Sequence, residues 1–182
     1  LKHNLSPSSI MKIYKDIISG DELFSDSFKI KLIDGVLYEV YGRLITRKQG
    51  EIHIDGANPS AEEASEGTDE ACESGVDIVL NHRLVESYAF GDKKSYTLYL
   101  KDYMKKIVEK LQETKPDEVE LFKTNINKVM KELLGRFKEF QFFTGESMDC
   151  DGAIGIMEYR DIDGVSTPVL MFIKQGLEEE KF

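Results

Sequence analysis

Few side chains in this sequence are equipped for bond-making. Of its three histidines, His3 sits in an N-terminal stretch unlike the rest, which leaves His53 and His82. His82 follows Asn81 near the end of an apolar run, a position that suits a structural ring better than a general base. Cys72 lies in a carboxylate-rich stretch and Cys150 between Asp149 and Asp151. Neighbouring negative charge disfavours the thiolate and blunts its nucleophilicity. No glycine-rich phosphate cradle or paired-histidine metalloprotease motif occurs. Two Asp-x-Asp-Gly quartets, Asp149–Gly152 and Asp161–Gly164, gather oxygen ligands, but their ordinary reading is turn chemistry. The chain also lacks the ligand spacing of an EF-hand. These residues describe a protein that binds rather than catalyses.

The charge pattern says more. Between Lys93 and Lys138 stand twelve Lys/Arg and seven Asp/Glu, about +5, in a chain whose net charge is −10. A basic segment is therefore set against an acidic body of about −15. Net acidity argues against nucleic acid as the main partner, because phosphate contacts need a basic face. No apolar run reaches the ~18 residues that a membrane span requires. Two cysteines are too few for a disulfide framework or a cysteine-rich zinc site. A reducing cytoplasmic address and a single domain over 11–182 are expected, with 1–10 read as a leader left by expression.

The basic segment reads as a helical hairpin over about 92–138. Tyr96, Tyr99, Leu100, Tyr103, Met104, Ile107 and Leu111 recur at helical spacing, with Lys94, Lys101 and Lys105 on the opposite face. Asp92 or Ser95 is the candidate N-cap. Thr114-Lys115-Pro116 breaks the helix. Val119, Phe122, Ile126, Val129, Leu133 and Phe137 then make a second stripe. The two stripes are expected to pack on each other and on a sheet.

The remainder predicts strands and turns. Strands are expected over 12–17, 28–32, 36–45, 75–84 and 140–143, and as a hairpin of 153–159 with 169–174. Asp34-Gly35 and Asp163-Gly164 supply the turns. Residues 21–27 read as an acidic loop. From Glu51 to Asp77 nine acids occur without one Lys or Arg. Such composition predicts a mobile acidic loop, about 50–75, because little apolar surface offsets the entropy of ordering it. The order of elements is that of an α+β fold with a mainly antiparallel sheet.

Several stretches together resemble the translationally controlled tumour protein family, also called histamine-releasing factor or fortilin. They are Met11–Asp16, Asp55–Glu62, Gly75–Val79, Tyr96–Lys105, Gln141–Glu146 and Lys174–Lys181, dispersed in the right order. The resemblance implies a β-tent similar to a zinc-containing Rab-interacting chaperone, with a projecting helical hairpin. The metal is not implied, since no paired Cys-x-x-Cys motif exists to hold it. It further implies a non-enzymatic cytoplasmic protein that binds calcium and tubulin, supports growth and survival, and reaches the cell exterior by non-classical secretion.

Residue by residue, the tubulin contact is expected at Lys94, Lys101, Lys105, Lys106 and Lys110, through charge complementarity with an acidic surface. The acid proposed to face a small GTPase falls on Glu22, where a carboxylate would compete for magnesium or a phosphate-binding lysine. For calcium the candidates are Asp149, Asp151, Asp161 and Asp163, giving a weak, partly hydrated site. The strand between the quartets is roughly 20 Å long at ~3.3 Å per residue, so the two cannot share one ion. Many relatives end in a cysteine that forms disulfide dimers. This chain ends in Phe182, and a monomer is expected.

Overall fold

The computed structural model describes residues 11–48, 51–54 and 72–182, with 47, 48, 51–54 and 72 described as backbone only. Three antiparallel sheets surround one core. Lys12–Asp16 (β1) runs between Glu22–Ser25 (β2) and the C-terminal Leu177–Lys181 (β12). A six-stranded sheet contains Lys29–Ile33 (β3), Leu37–Tyr41 (β4), Val85–Ser87 (β8), Gln141–Thr144 (β9), Gly155–Ile162 (β10) and Val165–Ile173 (β11). Its order is β3-β4-β11-β10-β9-β8. Leu44–Lys48 (β5) lies between Glu51–Ile54 (β6) and Cys72–Val76 (β7) in the third sheet. The helices are Asp77–His82 (α1), Lys93–Thr114 (α2) and Val119–Leu134 (α3). The fold is α+β: antiparallel sheets and a helical hairpin.

Both expected Asp-Gly turns form. Asp34 and Gly35 have φ of 50° and 72°, and Asp163 and Gly164 of 52° and 80°. Two successive left-handed residues match the twist of the flanking strands.

Other expectations are corrected. The acidic loop of 21–27 contains a strand, β2, with Leu23 and Phe24 both fully buried. Burial on both faces removes the alternation by which a strand is recognised. The single strand expected over 36–45 is two, and they belong to different sheets. At the switch Gly42 N–H donates to the Pro168 carbonyl (3.0 Å), and a Cβ there would come within 2.6 Å of Asp77 Oδ1. Asp77 Oδ1 accepts from Arg43 N (2.9 Å) and from Ile78 N (2.9 Å). The same carboxylate thus pins the crossover and opens α1. That helix replaces the strand expected over 75–84, because a short apolar run does not distinguish the two.

Of the acidic segment, 55–71 lies outside the described residues. Its two ends are not loop but strands, β6 and β7. Arg47 is in register with Glu73, and Lys48 with both Glu51 and Cys72. Ladder hydrogen bonds are made by backbone, so a face-exposed strand can be poor in apolar residues.

The hairpin is docked, not appended. Tyr96, Leu100, Tyr103, Ile107 and Leu111 of α2 and Phe122, Ile126, Met130 and Leu133 of α3 share one core with Phe142, Ile156, Leu170 and Phe172 of the large sheet. Phe24 stacks on Tyr14 (4.5 Å between centroids) and on Phe172 (5.3 Å), joining the small sheet to the same core.

A chain of ions fastens the end of the hairpin to the sheet. Arg136, just past α3, donates Nε to Glu158 Oε1 and Nη2 to Oε2, each 3.0 Å. Arg160 donates Nε to Glu158 Oε2 (2.9 Å) and Nη2 to Glu39 Oε2 (2.8 Å), spanning the intervening β11. The Tyr41 hydroxyl completes Glu39 at 2.7 Å. Burial alone would raise both glutamates, but the hydrogen bonds from Arg160, Tyr41 and Arg136 outweigh it and hold them below 4.5. Lowered carboxylates add stability above their unfolded value and lose it as pH falls through the folded one. Replacing Arg160 by Met should therefore cost roughly 3 kcal/mol at neutral pH by urea unfolding. The deficit should shrink as pH falls through the lowered folded values of Glu39 and Glu158, where the parent chain also loses the contribution of these ion pairs.

Candidate functional site

On α2 the local chemistry is simple. Asp92 caps the helix, its Oδ1 accepting from Ser95 N at 2.8 Å, and this hydrogen bond holds its carboxyl below the usual aspartate value. At 100° per residue the buried stripe leaves Lys94, Lys101 and Lys105 on the opposite side. Burying the tyrosines fixes where the lysines point.

Lys94, Lys101, Lys105 and Lys110 are exposed, and among the described residues no carboxylate oxygen lies within 4.0 Å of their Nζ atoms. Lys106 is half-buried and pairs with Asp102 at 3.3 Å. Elsewhere in the hairpin, Lys128 reaches Asp34 (3.7 Å) and Arg136 is held by Glu158 and Glu132. Four of the five expected contact lysines are thus presented without an internal partner. Leu98, 61% exposed, lies on the face of Lys94, Lys101 and Lys105, and periodicity alone gave it no role. Lys110 is turned away from that face and borders a cleft with Glu178 and Glu179. A groove of about 430 Å³ runs between the helices, lined by the apolar Met104, Val108, Phe122 and Ile126 and by Lys101, Lys105, Lys123 and Glu109.

Glu22 opens β2 at the rim of a second pocket, of about 350 Å³, lined also by Lys15, Asp21, His82, Arg83 and Glu146. Two aspartates fix the turn between β1 and β2 that leads to it, and of these Asp21 lines it. Asp16, buried, accepts from Ile18 N, Ser19 Oγ and Ala153 N at 2.7–3.0 Å. Asp21 Oδ2 accepts from Ser147 N (3.2 Å) and Ser147 Oγ (2.6 Å), clamping the turn after β9 to the turn before β2. Neither clamp had a local sequence signal, since each joins residues more than a hundred positions apart. Glu22 is exposed, and no Lys or Arg nitrogen lies within 4.0 Å of it among the described residues. Lys15, opposite it in register, donates to Glu180 at 2.9 Å instead.

Asp149 and Asp151 precede β10, and Asp161 and Asp163 are at its far end. Asp149 Oδ1 accepts from Asp151 N (2.9 Å), an Asx turn, and Asp163 occupies the second hairpin turn. The structure does not bring the four together. Among the described residues no three His, Cys, Asp or Glu side chains gather in a metal-binding group. Cys150 is exposed. The His53 and Cys72 side chains lie outside the description. No helix among the described residues is long and apolar enough to cross a membrane.

The family model described as translationally controlled tumour protein matches residues 11–178. The chain belongs to the translationally controlled tumour protein family. It is 76% identical over 172 residues to the translationally-controlled tumor protein homolog of Bombyx mori, covering 94% of this chain and 100% of that one. The Drosophila melanogaster homolog is 70% identical over 171 residues, covering 94% and 99%. Among solved structures it is similar to the translationally controlled tumor-associated protein p23fyp of Schizosaccharomyces pombe. That match has a TM-score of 0.75 at 45% identity and covers 94% of this chain and 99% of that one. The Caenorhabditis elegans translationally controlled tumour protein gives 0.70 at 44% identity, covering 93% and 97%.

His82, in the Glu22 pocket, gives the stability of the fold a pH dependence. Burial holds the ring below its ordinary 6.5, against the opposing pull of Glu22, and its edge packs on Phe28 at 6.0 Å. A histidine kept neutral by folding lets the unfolded chain bind the extra proton, so stability falls as pH drops below 6.5. The loss should be under ~1 kcal/mol, since the ring is partly solvated. Thermal melts from pH 7.5 to 5 should show a smaller slope for His82→Gln than for the parent chain.

Proposed function

We propose that this chain is a non-catalytic cytoplasmic binding protein that offers the α2 lysines to an acidic protein surface. Tubulin is the partner that family resemblance favours. One observation carries the reading: Lys94, Lys101, Lys105 and Lys110 are exposed on a helix fixed by its own core, without an internal carboxylate partner among the described residues. Exposed charges arranged this way steer association and weaken with added salt, because a Debye length is only ~8 Å at physiological ionic strength.

Charge reversal of Lys101 and Lys105 together should weaken microtubule co-sedimentation on the order of tenfold at low salt. It should also flatten the salt dependence of the parent chain. Binding unchanged by the reversal overturns the reading.

The Glu22 pocket favours a second reading, regulation of a small GTPase. An exposed carboxylate without a cationic partner among the described residues is free to meet a partner's magnesium or phosphate-binding lysine. Stimulated nucleotide release by the parent chain that disappears with Glu22→Ala supports regulation. Absence of stimulation by the parent chain leaves binding alone. Calcium, on this proposal, binds weakly at the separate turns of Asp149/Asp151 and Asp161/Asp163, each completed by water.

A further inference from the structure

We propose that the aromatic pocket at the base of the hairpin binds a methylated ammonium group. The pocket, about 380 Å³, is formed where β8, the loop entering α2 and the link from α3 to β9 converge, and Phe90, Phe137, Phe140, Phe142, Tyr88 and Glu86 line it. Phe142 is its buried centre. Phe90 stands at 68° to it with centroids 5.2 Å apart, and Phe140 at 89° and 6.4 Å. Phe137 lies 5.6 Å away at 40°. Rings set at steep angles around a third present faces and edges in several directions. A cation within ~6 Å of a ring centroid is drawn to its face.

Three features separate this cluster from ordinary core. Tyr88, at its mouth, is 83% exposed, so the aromatic surface reaches water. The Arg136 guanidinium already lies 6.0 Å over Phe140 while bonded to Glu158, so one of these rings faces a cation. Glu86, half-buried, accepts from Gln141 Nε2 at 3.1 Å and has no Lys or Arg nitrogen within 4.0 Å among the described residues. Its negative charge is the complement that a cation requires.

Methylation follows from the donor count. A bare ammonium brings three N–H groups and is strongly hydrated. Glu86, the carboxylate of the pocket, is already engaged by Gln141 and by the Tyr88 hydroxyl. That leaves Ser87 and Gln141 oxygens as the remaining side-chain acceptors to replace the water. A trimethylammonium has no N–H to satisfy and presents methyls to the rings. Lys138 also lines the pocket and opposes a cation, which keeps the affinity weak. Its ammonium is not stacked on these rings; among the described residues the cation–π contacts are Lys29 with Tyr41 and Arg136 with Phe140. None of the lysines assigned to the α2 surface takes part, so the site stands or falls apart from that reading.

The test is an NMR titration of the full chain with choline, with its neutral carbon isostere bearing a tert-butyl group, and with a peptide carrying trimethyllysine or plain lysine. Signals of Phe90, Phe140 and Glu86 should move with a methylated cation and saturate about tenfold earlier than with the neutral isostere. Saturation by choline as readily as by the peptide identifies a free small-molecule ligand, whereas saturation by the trimethyllysine peptide alone identifies a protein source. Glu86→Gln and Phe140→Leu should weaken binding severalfold without shifting the thermal midpoint by more than a few degrees. Lys138→Ala should strengthen it. Equal binding of the neutral isostere, no shift with any cation, or weakening by Lys138→Ala overturns the proposal.

Discussion

The packing of two amphipathic helices onto the large antiparallel sheet is the constraint from which the other features follow. Tyr96, Leu100, Tyr103, Ile107 and Leu111 are each at most 6% exposed, so α2 has one permitted rotation about its axis. Burial of that stripe, at ~25 cal/mol per Å² of apolar area, far exceeds what exposed charges contribute to orientation. The lysines do not choose their direction; the tyrosines choose it for them. Arg136, Glu158, Arg160 and Glu39 then fix the base of the hairpin to β10 and, across β11, to β4. This network contributes less by attraction than by the cost of leaving any one of its members buried alone.

Charge is consequently sorted by partner rather than by sign. The buried glutamates Glu39 and Glu158 are satisfied by arginines whose planar donors can bridge two acids at once. At the surface, Lys128 and Lys106 are occupied by Asp34 and Asp102. Lys94, Lys101, Lys105 and Lys110 lack such contacts among the described residues, and Glu22 and Glu86 lack cationic ones. Charge left over inside a fold becomes available to other molecules, which is why the basic helix, the Glu22 rim and the aromatic pocket are the places where recognition is proposed.

What could be read in the sequence was what depends on near neighbours. Helical periodicity placed both stripes apart from Phe137, which lies past the end of α3 in a short 3-10 turn. Of the two cap candidates, Asp92 and Ser95, Asp92 makes the cap. The two Asp-Gly pairs announced their turns, because these features are decided within a few residues. The placement of the aspartate quartets at opposite ends of one strand also followed from the sequence between them. What escaped was decided by distant residues. Leu23 and Phe24 are both buried because opposite faces of β2 are covered, and Gly42 makes sense only once Asp77 stands against it. The clamps of Asp16 on Ala153 and Asp21 on Ser147, and the bridge from Arg160 to Glu39, have no local signature at all. Leu98 was visible but interrupts the apolar stripe, so its place among the lysines became evident only on the folded helix.

Hairpin and sheet share one core and therefore one stability. Native-state hydrogen exchange in low concentrations of urea tests it most directly. Amides of Leu100, Tyr103 and Ile107 should open only by the same global event, with the same free energy and urea dependence, as those of Ile156 and Leu170. Exchange of the α2 amides through a separate, lower-energy opening, while the strand amides stay protected, would contradict it: the helices would then be a loosely held appendage, and their lysines would not be a fixed surface.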